Sequence, residues 1–556
     1  MLRHCSCVDI IDASSEIIIN LLIYLLPLYL VALMRVLKFK DSSMTSFVRC
    51  KPAFLAFAGL FAVYSVFWYL NNPRLLVLLT IAISLIIILA LGSVFASDKD
   101  RLKSEWVFLV LLISFLIIFC FIFPPFTAPD EGHHYFSTYW LVDSLPFNAH
   151  VTNDGAFLVR DIDYALYNSR QPGDAINSAS FDSVIDGFSL FGNGQLVPFS
   201  EFSLSAGGEN ITAKLGSIIG LQIGLFFGLG AYPAFYMGRI GSALVFCFCA
   251  FQAFRIAPKG KSVIVFVSLL PMTLHLAASY SYDSGIIAYS LLVFACLMRG
   301  FFGEQRSIGK REIIIYLIIS VLLAPCKVIY SGLILLGLFV PLSQFLDEKT
   351  GRFSKFLLIF CVVVSVLALR LASMSSLVSQ PSDSSRGHEA GQLYSLGDIL
   401  LHPKNSFLVL CRTLDSLGDF YWETTLGYSL GWLQENLRFP AFYMIPYLFF
   451  GFICCLDSSD EPSFLAAPVS FLFIFAFLLA ALGSIASMWL AWTFNYENVI
   501  QGVQGRYFLP ALPALLFGLR TRSFRFNSSS ISVVTLGVCA MNCLYLIRFI
   551  SVASCL

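Results

Sequence analysis

The sequence predicts an all-α protein that crosses a membrane many times. Hydrophobic residues make up 58% of its 556 residues and charged residues only 12%, whereas an ordinary soluble domain contains about 25% charged residues. The mean hydropathy is +0.80, and a soluble protein of this size could not bury so much apolar surface. The formal net charge of +1 provides no basic face for a nucleic acid. The expected environment is therefore a lipid bilayer, and no nucleic-acid partner is expected.

Apolar runs long enough to cross about 30 Å of hydrocarbon recur along the chain. They predict about 14 transmembrane helices, at residues 17–37, 53–70, 75–96, 106–123, 233–254, 262–279, 283–298, 312–326, 328–345, 356–372, 441–456, 463–490, 507–519 and 531–550. The apolar, glycine-rich segment 214–230 is compatible with a further span, a re-entrant segment or an interfacial segment.

Lys and Arg cluster in alternate turns of this topology, which marks the cytoplasmic side of a membrane protein. The basic turns are 35–51, 97–105, 255–261, 299–311, 349–355 and 520–525, and the acidic turn 457–462 is an exception. Both termini and two large loops, 124–213 and 373–440, are therefore predicted to lie outside the cytoplasm. We expect N-terminal extra transmembrane helices over 1–105, a membrane core over 106–520 and a C-terminal transmembrane helix over 521–556.

The sharpest motif lies at the outer end of the fourth predicted helix, where prolines end the helix and Asp130, Glu131, His133 and His134 follow. A carboxylate beside apolar surface is partly desolvated, a useful setting for a general base. His134 has three possible roles: phosphate donor, metal ligand or orienter of a carboxylate. A divalent metal is possible, although no spacing fixes its geometry. The alternative is that these polar residues only cap the helix. The residues that follow, 135–145, suit an amphipathic helix on the membrane surface.

A second motif surrounds Arg506 at the outer mouth of the thirteenth predicted helix. Gln504 precedes Arg506, Tyr507 follows it, and the nearby glycines Gly502 and Gly505 allow backbone to approach a ligand closely. A guanidinium at this place can bind a phosphate with two hydrogen bonds. The alternative is that Arg506 only reaches toward lipid headgroups.

Three further charged residues are candidates because ionisable groups inside apolar segments are costly unless they pair or bind a ligand. Asp283 lies on the turn between the sixth and seventh predicted helices, although a lone Asp at a turn is usually a cap. Lys327 lies between two short apolar runs, and Arg239 lies inside the fifth predicted helix.

The topology places residues 130–134, Asp283, Lys327 and Arg506 on the same outer side. A carboxylate and several cations at a lipid interface suit the transfer of a sugar from a lipid-linked phosphate. The carboxylate would deprotonate an acceptor hydroxyl, and the cations would hold the leaving phosphate. We therefore expect Asp130 and Arg506 to line one outward-facing cavity.

These motifs resemble a bacterial family of predicted membrane proteins, the domain-of-unknown-function family 2142, over residues 106–520. The family usually has Pro-Ala where this chain has Gly132 and His133. The resemblance rests on an ordered set of positions: Pro129, Asp130, Glu131, His134, Arg239, Leu269 to Met272, Ser279 to Asp283, Lys327, Leu426, Gly427, Leu430 to Trp432, and Gln504 to Phe508.

That family is similar to the glycosyltransferase C superfamily, whose members transfer sugars from polyprenyl-phosphate donors on the outer face of the membrane. The resemblance implies that Asp130 or Glu131 is the catalytic base and that Arg506 and Lys327 lie near the donor phosphate. Substrate would also contact His133, His134, Arg239, Asp283, Gln504 and Tyr507. The acceptor would be a glycan of the cell envelope, such as a wall polysaccharide, or a lipid-linked acceptor. The location would be a bacterial plasma (inner) membrane, with the catalytic loops outside the cytoplasm.

Two other functions fit the sequence. A transporter or flippase for lipid-linked sugars would place ionisable residues at mid-membrane in broken helices of two matched halves. A non-catalytic envelope-assembly protein would use the acidic loop only to dock a partner. The depth of Asp130 and Arg506 separates the enzyme from the transporter, because an enzyme would place them at the interface.

Overall fold

The computed structural model describes residues 104–143, 157–170, 173–199, 210–379, 383–386, 389–433, 437–458, 467–526 and 529–555. The predicted helices at 17–37, 53–70 and 75–96 lie outside these residues. The described chain is mostly helical, and its strands are short. The structure therefore agrees with the all-α class that the composition predicts.

Eighteen α-helices and six strands make up the described chain. They are α1 (Ser104–Ile122), α2 (Glu131–Asp143), β1 (Phe157–Arg160), α3 (Asp161–Asn168), α4 (Ser178–Asp186), β2 (Leu196–Phe199), α5 (Leu215–Phe226), α6 (Ala231–Ile256), α7 (Lys261–Leu269), α8 (Pro271–Ala277), α9 (Asp283–Phe302), α10 (Lys310–Leu323), α11 (Ser331–Leu335), α12 (Glu348–Ser379), β3 (Asp383–Arg386), β4 (Glu389–Gln392), α13 (Leu396–Leu401), α14 (Pro403–Leu426), α15 (Met444–Cys454), β5 (Leu456–Ser458), α16 (Ala467–Trp492), α17 (Leu512–Gly518), β6 (Thr521–Phe526) and α18 (Ser530–Cys555).

Six helices in the described chain are long and apolar enough to cross a membrane. They are α1, α6, α9, the first 22 residues of α12, α16 and α18. Each coincides with one of the predicted spans, with ends that differ by a few residues. The multi-pass membrane architecture is thus supported, whereas the number of 14 spans is not established.

Three of the predicted spans are interrupted. The run 507–519 contains the end of a 3₁₀ turn and then the short α17. The run 262–279 forms α7 and α8, which are separated at Leu270 because Pro271 has no N–H to continue the hydrogen-bond ladder. The run 328–345 forms a 3₁₀ turn, the short α11 and two more 3₁₀ turns. Apolar composition alone does not distinguish such broken segments from continuous helices.

The glycine-rich segment 214–230 contains α5, which packs lengthwise against α6. Gly216, Gly220 and Gly224 form its contact face, and a Cβ on Gly220 would lie 2.0 Å from the Met237 carbonyl oxygen. Small residues at every fourth position allow two helix backbones to approach closely. At 12 residues, α5 is about 18 Å long and is too short to cross the hydrocarbon core alone.

The prediction of a surface helix at 135–145 is wrong. Helix α2 is largely buried, and Tyr135, Phe136 and Val142 are each at most 1% exposed. They join a second apolar cluster with Phe235 of α6 and Tyr280. The aromatic residues that suggested membrane contact are instead buried within the protein.

Arg160 connects the described part of the segment 124–213 to the helical core. Strands β1 and β2 pair antiparallel, and Arg160 at the end of β1 contacts Asp163 at 2.7 Å. Arg160 also donates to the carbonyl of Leu229, just before α6. The described part of this loop is thus attached to the chain at the start of α6.

Different charged contacts lie at the two opposite ends of the described helices. At one end Arg255 of α6 lies 3.7 Å from Glu105 of α1, and Arg299 of α9 lies 3.3 Å from Glu312 of α10. At the opposite end of α9, its first residue Asp283 approaches a lysine that follows α10. The candidate site lies at this second end.

Candidate functional site

The acidic motif forms a tight loop between α1 and α2. Two residues in it have positive φ angles, Phe126 at 62° and Asp130 at 59°. Residues other than glycine adopt this left-handed region rarely, and such strain is frequent at functional sites. The side chain of Asp130 is 47% exposed, so solvent or a ligand can reach its carboxylate.

Glu131, the next residue, is completely buried in an ion pair with Arg239. The Arg239 guanidinium donates to the two Glu131 carboxylate oxygens at 2.8 and 2.6 Å. Its three remaining N–H groups donate to the carbonyls of Cys120, Phe123 and Pro124. All five donors of the guanidinium therefore have partners. This pair holds the acidic loop against the end of α1 and leaves Arg239 no free donor for a ligand.

Arg506 is the centre of a second charged cluster, which contains Asp130. Its Nη2 donates to the Asp130 Oδ2 at 2.9 Å, and its Nε lies 3.5 Å from the Asp283 Oδ2. Lys327 Nζ donates to the Asp283 Oδ1 at 3.3 Å. The structure therefore brings together four residues that are widely separated in sequence and that the topology placed on one side.

The cluster contains unsatisfied hydrogen-bonding groups. Arg506 is only 3% exposed, yet its Nη1 has no hydrogen-bond partner among the described residues, and neither has the buried Oε1 of Gln504. A buried guanidinium nitrogen without an acceptor is costly. The arrangement can accept an anion beside Asp130.

Aromatic rings lie beside the ammonium group of Lys327. Lys327 Nζ lies 4.1 Å from the ring centre of Tyr507 and 4.9 Å from that of Tyr282. Ring faces attract cations at such distances. Burial alone would lower the pKa of Lys327, but the neighbouring Asp283 carboxylate outweighs it, and the pKa lies above its ordinary value. Lys327 is therefore a protonated ammonium.

His134 and His133 have different surroundings. His134 is 5% exposed and its Nδ1 has no partner among the described residues, whereas His133 is exposed. Burial, followed by the charges of Lys214 and Arg506, lowers the pKa of His134 well below its ordinary value. His134 is therefore neutral at physiological pH.

Lys214 is a buried cation near this cluster that the sequence analysis did not select. It is 3% exposed, directly precedes α5 and donates a hydrogen bond to Ser137, one turn after His134. A lone Lys at the start of a glycine-rich apolar segment is the signal that could have identified it.

The turn that carries Arg506 is fixed by α14. Gly505 donates its N–H to Thr424 Oγ1 at 2.7 Å, and Thr425 Oγ1 donates to the Gly505 carbonyl at 3.0 Å. A Cβ on Gly505 would lie 2.0 Å from the Tyr421 carbonyl oxygen. Glycine is thus required for contact between the turn and the helix.

Two other motif residues support the site without entering it. Gly427, with a φ of 94°, packs where a Cβ would lie 2.5 Å from the Met272 nitrogen. Trp432 Nε1 donates to the Phe126 carbonyl at 3.3 Å. These contacts connect α14 and the residues after it to α8 and to the acidic loop.

A cavity of about 380 Å³ lies beside residues Pro124 to Phe126, and its lining includes Arg170, Asp174 and Tyr232 but neither Asp130 nor Arg506. The expected shared cavity of Asp130 and Arg506 is thus not this one, and the two residues are instead in direct contact. Within the described ranges, no group of three or more His, Cys, Asp or Glu side chains is placed to hold a metal ion.

The fold and the site together define a multi-pass membrane protein with a largely buried cluster of charged residues at one end of its helices. A family model described as "Predicted membrane protein (DUF2142)" matches residues 215–515, more than half of the chain, and the chain belongs to this family. The match includes Arg239, Asp283, Lys327 and Arg506 and begins after the acidic motif. No curated protein and no solved structure matches the chain.

Proposed function

We propose that this protein is a membrane glycosyltransferase that transfers a sugar from a polyprenyl-phosphate donor to a hydroxyl of a cell-envelope glycan or of a lipid-linked acceptor. The observation that carries the proposal is the contact between Asp130 and Arg506. It joins a solvent-accessible carboxylate to a buried guanidinium whose Nη1 lacks an acceptor. A base beside an anion site is the minimum that this reaction needs.

In the proposed reaction the acceptor oxygen attacks the anomeric carbon of the donor sugar. The bond between that carbon and the phosphate oxygen breaks, and Asp130 takes the proton of the acceptor hydroxyl. The lipid phosphate leaves with the bonding electrons, and Arg506 and Lys327 stabilise its charge. Direct attack inverts the configuration of the anomeric carbon.

The surroundings of the two carboxylates favour Asp130 over Glu131 as the base. Both oxygens of Glu131 accept hydrogen bonds from Arg239 in a site that solvent does not reach. Asp130 is half exposed and accepts from one nitrogen of Arg506. Glu131 would thus act as a positioning residue that holds the loop of the catalytic Asp130.

The position of the cluster along the helices supports an enzyme rather than a transporter. Asp283 is the first residue of α9, and Asp130 follows the end of α1, so both lie at helix ends. A transporter would concentrate its ionisable residues at mid-membrane. At helix ends, a lipid headgroup can reach the cluster while its chain stays in the bilayer.

Charge asymmetry supports the proposed orientation. The opposite helix ends carry Arg255, Arg299 and Lys310, and an excess of such residues marks the cytoplasmic side. The cluster would therefore face the outside of a bacterial plasma membrane, where envelope glycans are assembled.

The test compares purified Asp130→Asn and Arg506→Gln variants in nanodiscs with a panel of radiolabelled polyprenyl-phosphate sugars. We expect Asp130→Asn to retain donor binding and to lose transfer by about 10²-fold or more, and Arg506→Gln to lose donor binding. Asp415→Asn, which changes an exposed carboxylate on α14, is the matched control and should behave as the unmodified protein. Full transfer by Asp130→Asn with a donor that the unmodified protein uses would overturn the proposal.

A further inference from the structure

Helix α14 lies at the boundary of the membrane-spanning region. One of its faces carries Val409, Thr413 and Tyr421, all at most 5% exposed. Val409 and Tyr421 belong to an apolar cluster with Ile485 and Trp489. These last two residues are in the final two turns of the span α16. The buried face of α14 is therefore fixed at the level where α16 ends.

A second face of α14 is apolar and exposed. Phe407 is 65%, Leu414 50% and Trp422 53% exposed, and their spacing of seven and eight residues places them on one stripe of a helix. The preceding short helix α13 adds Leu400 and Leu401, which are also exposed. Together these five residues form the outer stripe: Leu400, Leu401, Phe407, Leu414 and Trp422.

The third face of α14 is charged. Arg412, Asp415 and Asp419 are all exposed, and at 100° per residue they lie on the side of the helix between the outer stripe and the buried face. A helix that presents an apolar stripe beside a charged face is typical of segments that lie in the plane of a membrane surface.

Helix α14 also contacts a second helix with exposed apolar residues. This helix is α15, whose Ile445 and Phe452 are 65% and 53% exposed. Trp422 lies near the C-terminal end of α14, and tryptophan is enriched where a bilayer meets water.

We propose that α13 and α14 lie in the plane of the bilayer surface, with the outer stripe inserted among the lipids and the charged face in water. The partner of this surface is the lipid leaflet itself. The inference does not depend on the proposed enzymatic activity, because it follows from the position and the faces of the two helices.

This placement fixes the depth of Arg506 relative to the lipid. Thr424 and Thr425 at the end of α14 hold Gly505, and Arg506 follows directly. A helix anchored in the leaflet therefore holds the guanidinium near the level of lipid headgroups, independently of any motion of the longer loops.

The experiment places nitroxide spin labels on the full chain in nanodiscs, in a background without other reactive cysteines. Leu414→Cys tests the outer stripe, Asp419→Cys on the same helix is the matched control for the charged face, and Leu478→Cys, 47% exposed in α16, is the control for a lipid-facing span. The measurement is the accessibility of each label to oxygen, which concentrates in lipid, and to a water-soluble nickel chelate.

We expect the ratio of oxygen to nickel accessibility at Leu414→Cys to be several-fold higher than at Asp419→Cys and similar to that at Leu478→Cys. A ratio at 414 as low as at 419 would show that the stripe faces water and would overturn the inference. Low accessibility to both reagents at 414 would overturn it as well, because another part of the chain or a second copy would then cover the stripe.

Discussion

At the scale of single residues, Asp130 and Glu131 are adjacent in sequence but have opposite surroundings. Glu131 forms a buried pair in which every guanidinium donor of Arg239 is used. Asp130 adopts a left-handed backbone conformation that directs its carboxylate to Arg506. Removing one partner of a buried ion pair leaves an uncompensated charge, so the two carboxylates should respond differently to substitution.

Glu131→Gln should destabilise the folded protein by about 3–5 kcal/mol, because it leaves the Arg239 guanidinium buried without a counter-charge. The measurement is a denaturant titration in detergent. Asp130→Asn is the control and should cost much less, since its side chain is half exposed. Equal losses for the two variants would contradict the separate roles assigned to them.

His134 should make stability depend on pH. Its pKa in the folded protein is well below the ordinary value, which is about 6.5. Below that pH the unfolded chain binds a proton that the folded chain does not, so stability falls as the pH decreases, by up to about 1.4 kcal/mol per pH unit. Above about 6.5 this contribution is constant.

The measurement for His134 is the loss of stability between pH 7.5 and pH 5.5 in the unmodified protein and in His134→Gln. The loss should be smaller in His134→Gln. His133→Gln changes the exposed neighbour and should leave the loss unchanged. If all three proteins lose the same amount, His134 does not remain neutral in the fold.

At the scale of elements, the position of Arg506 is set by the contact between its turn and α14. Gly505 meets Tyr421 and Thr425 so closely that a single added carbon has no space. The two threonine hydroxyls satisfy both the N–H and the carbonyl of Gly505. The turn and the helix therefore move as one unit, and the guanidinium follows the helix.

Gly505→Ala should displace this turn and weaken donor binding by at least tenfold, since its Cβ would lie 2.0 Å from a backbone oxygen. Gly418→Ala, in the helix α14 that this turn contacts, is the matched control. A Cβ at position 418 has no neighbour within 4 Å, so the substitution should raise the free energy of unfolding by about 0.5–1 kcal/mol. The comparison uses donor binding and thermal unfolding of both variants. Normal binding by Gly505→Ala would show that the turn can move without loss of the site.

The success of the sequence predictions differed among elements for physical reasons. The runs 106–123, 283–298 and 463–490 largely coincide with the continuous helices α1, α9 and α16, because long apolar stretches have few alternatives in a membrane. Helix α14 was missed within the predicted loop 373–440, since its three-faced pattern is not apolar enough to indicate a span. The break in the span 262–279 has a visible signal in the sequence, because Pro271 cannot continue the hydrogen-bond ladder of α7.

At the scale of the whole molecule, the described helices carry different chemistry at their two ends. One end has exposed or half-exposed basic residues such as Arg255 and Arg299. The other end has the buried cluster of Asp130, Asp283, Lys327 and Arg506. By the rule that basic residues mark the cytoplasmic side, this asymmetry predicts that the cluster faces the outside.

Labelling of intact cells with a membrane-impermeant maleimide tests this orientation. Asp186→Cys lies in the segment 124–213, and Glu304→Cys lies in the basic turn after α9; both positions are exposed. In a cysteine-depleted background, Asp186→Cys should react in intact cells and Glu304→Cys only after permeabilisation. The reverse pattern would place the charged cluster in the cytoplasm.

The convergence of the candidate site was predictable from topology, but its pairing was not. Alternating helices place residues 130, 283, 327 and 506 on one side whatever their exact contacts. Which carboxylate meets which arginine depends on the turn geometry at Asp130 and on the direction of the Arg239 side chain, and neither has a signature in one sequence. Lys214 does carry a sequence signal, as a lone Lys before a glycine-rich apolar segment, but its approach to Ser137 depends on how α5 packs against α2.

The existing partners of Arg506 also affect which anions the protein can retain. Asp130 already neutralises the guanidinium, so a small, freely diffusing ion that binds the unpartnered Nη1 gives up its hydration and gains little in return. A molecule whose long hydrocarbon tail remains in the bilayer is held at high local concentration and can compete repeatedly. The resting salt bridge would thus protect the protein from occupation by phosphate dissolved in the surrounding medium.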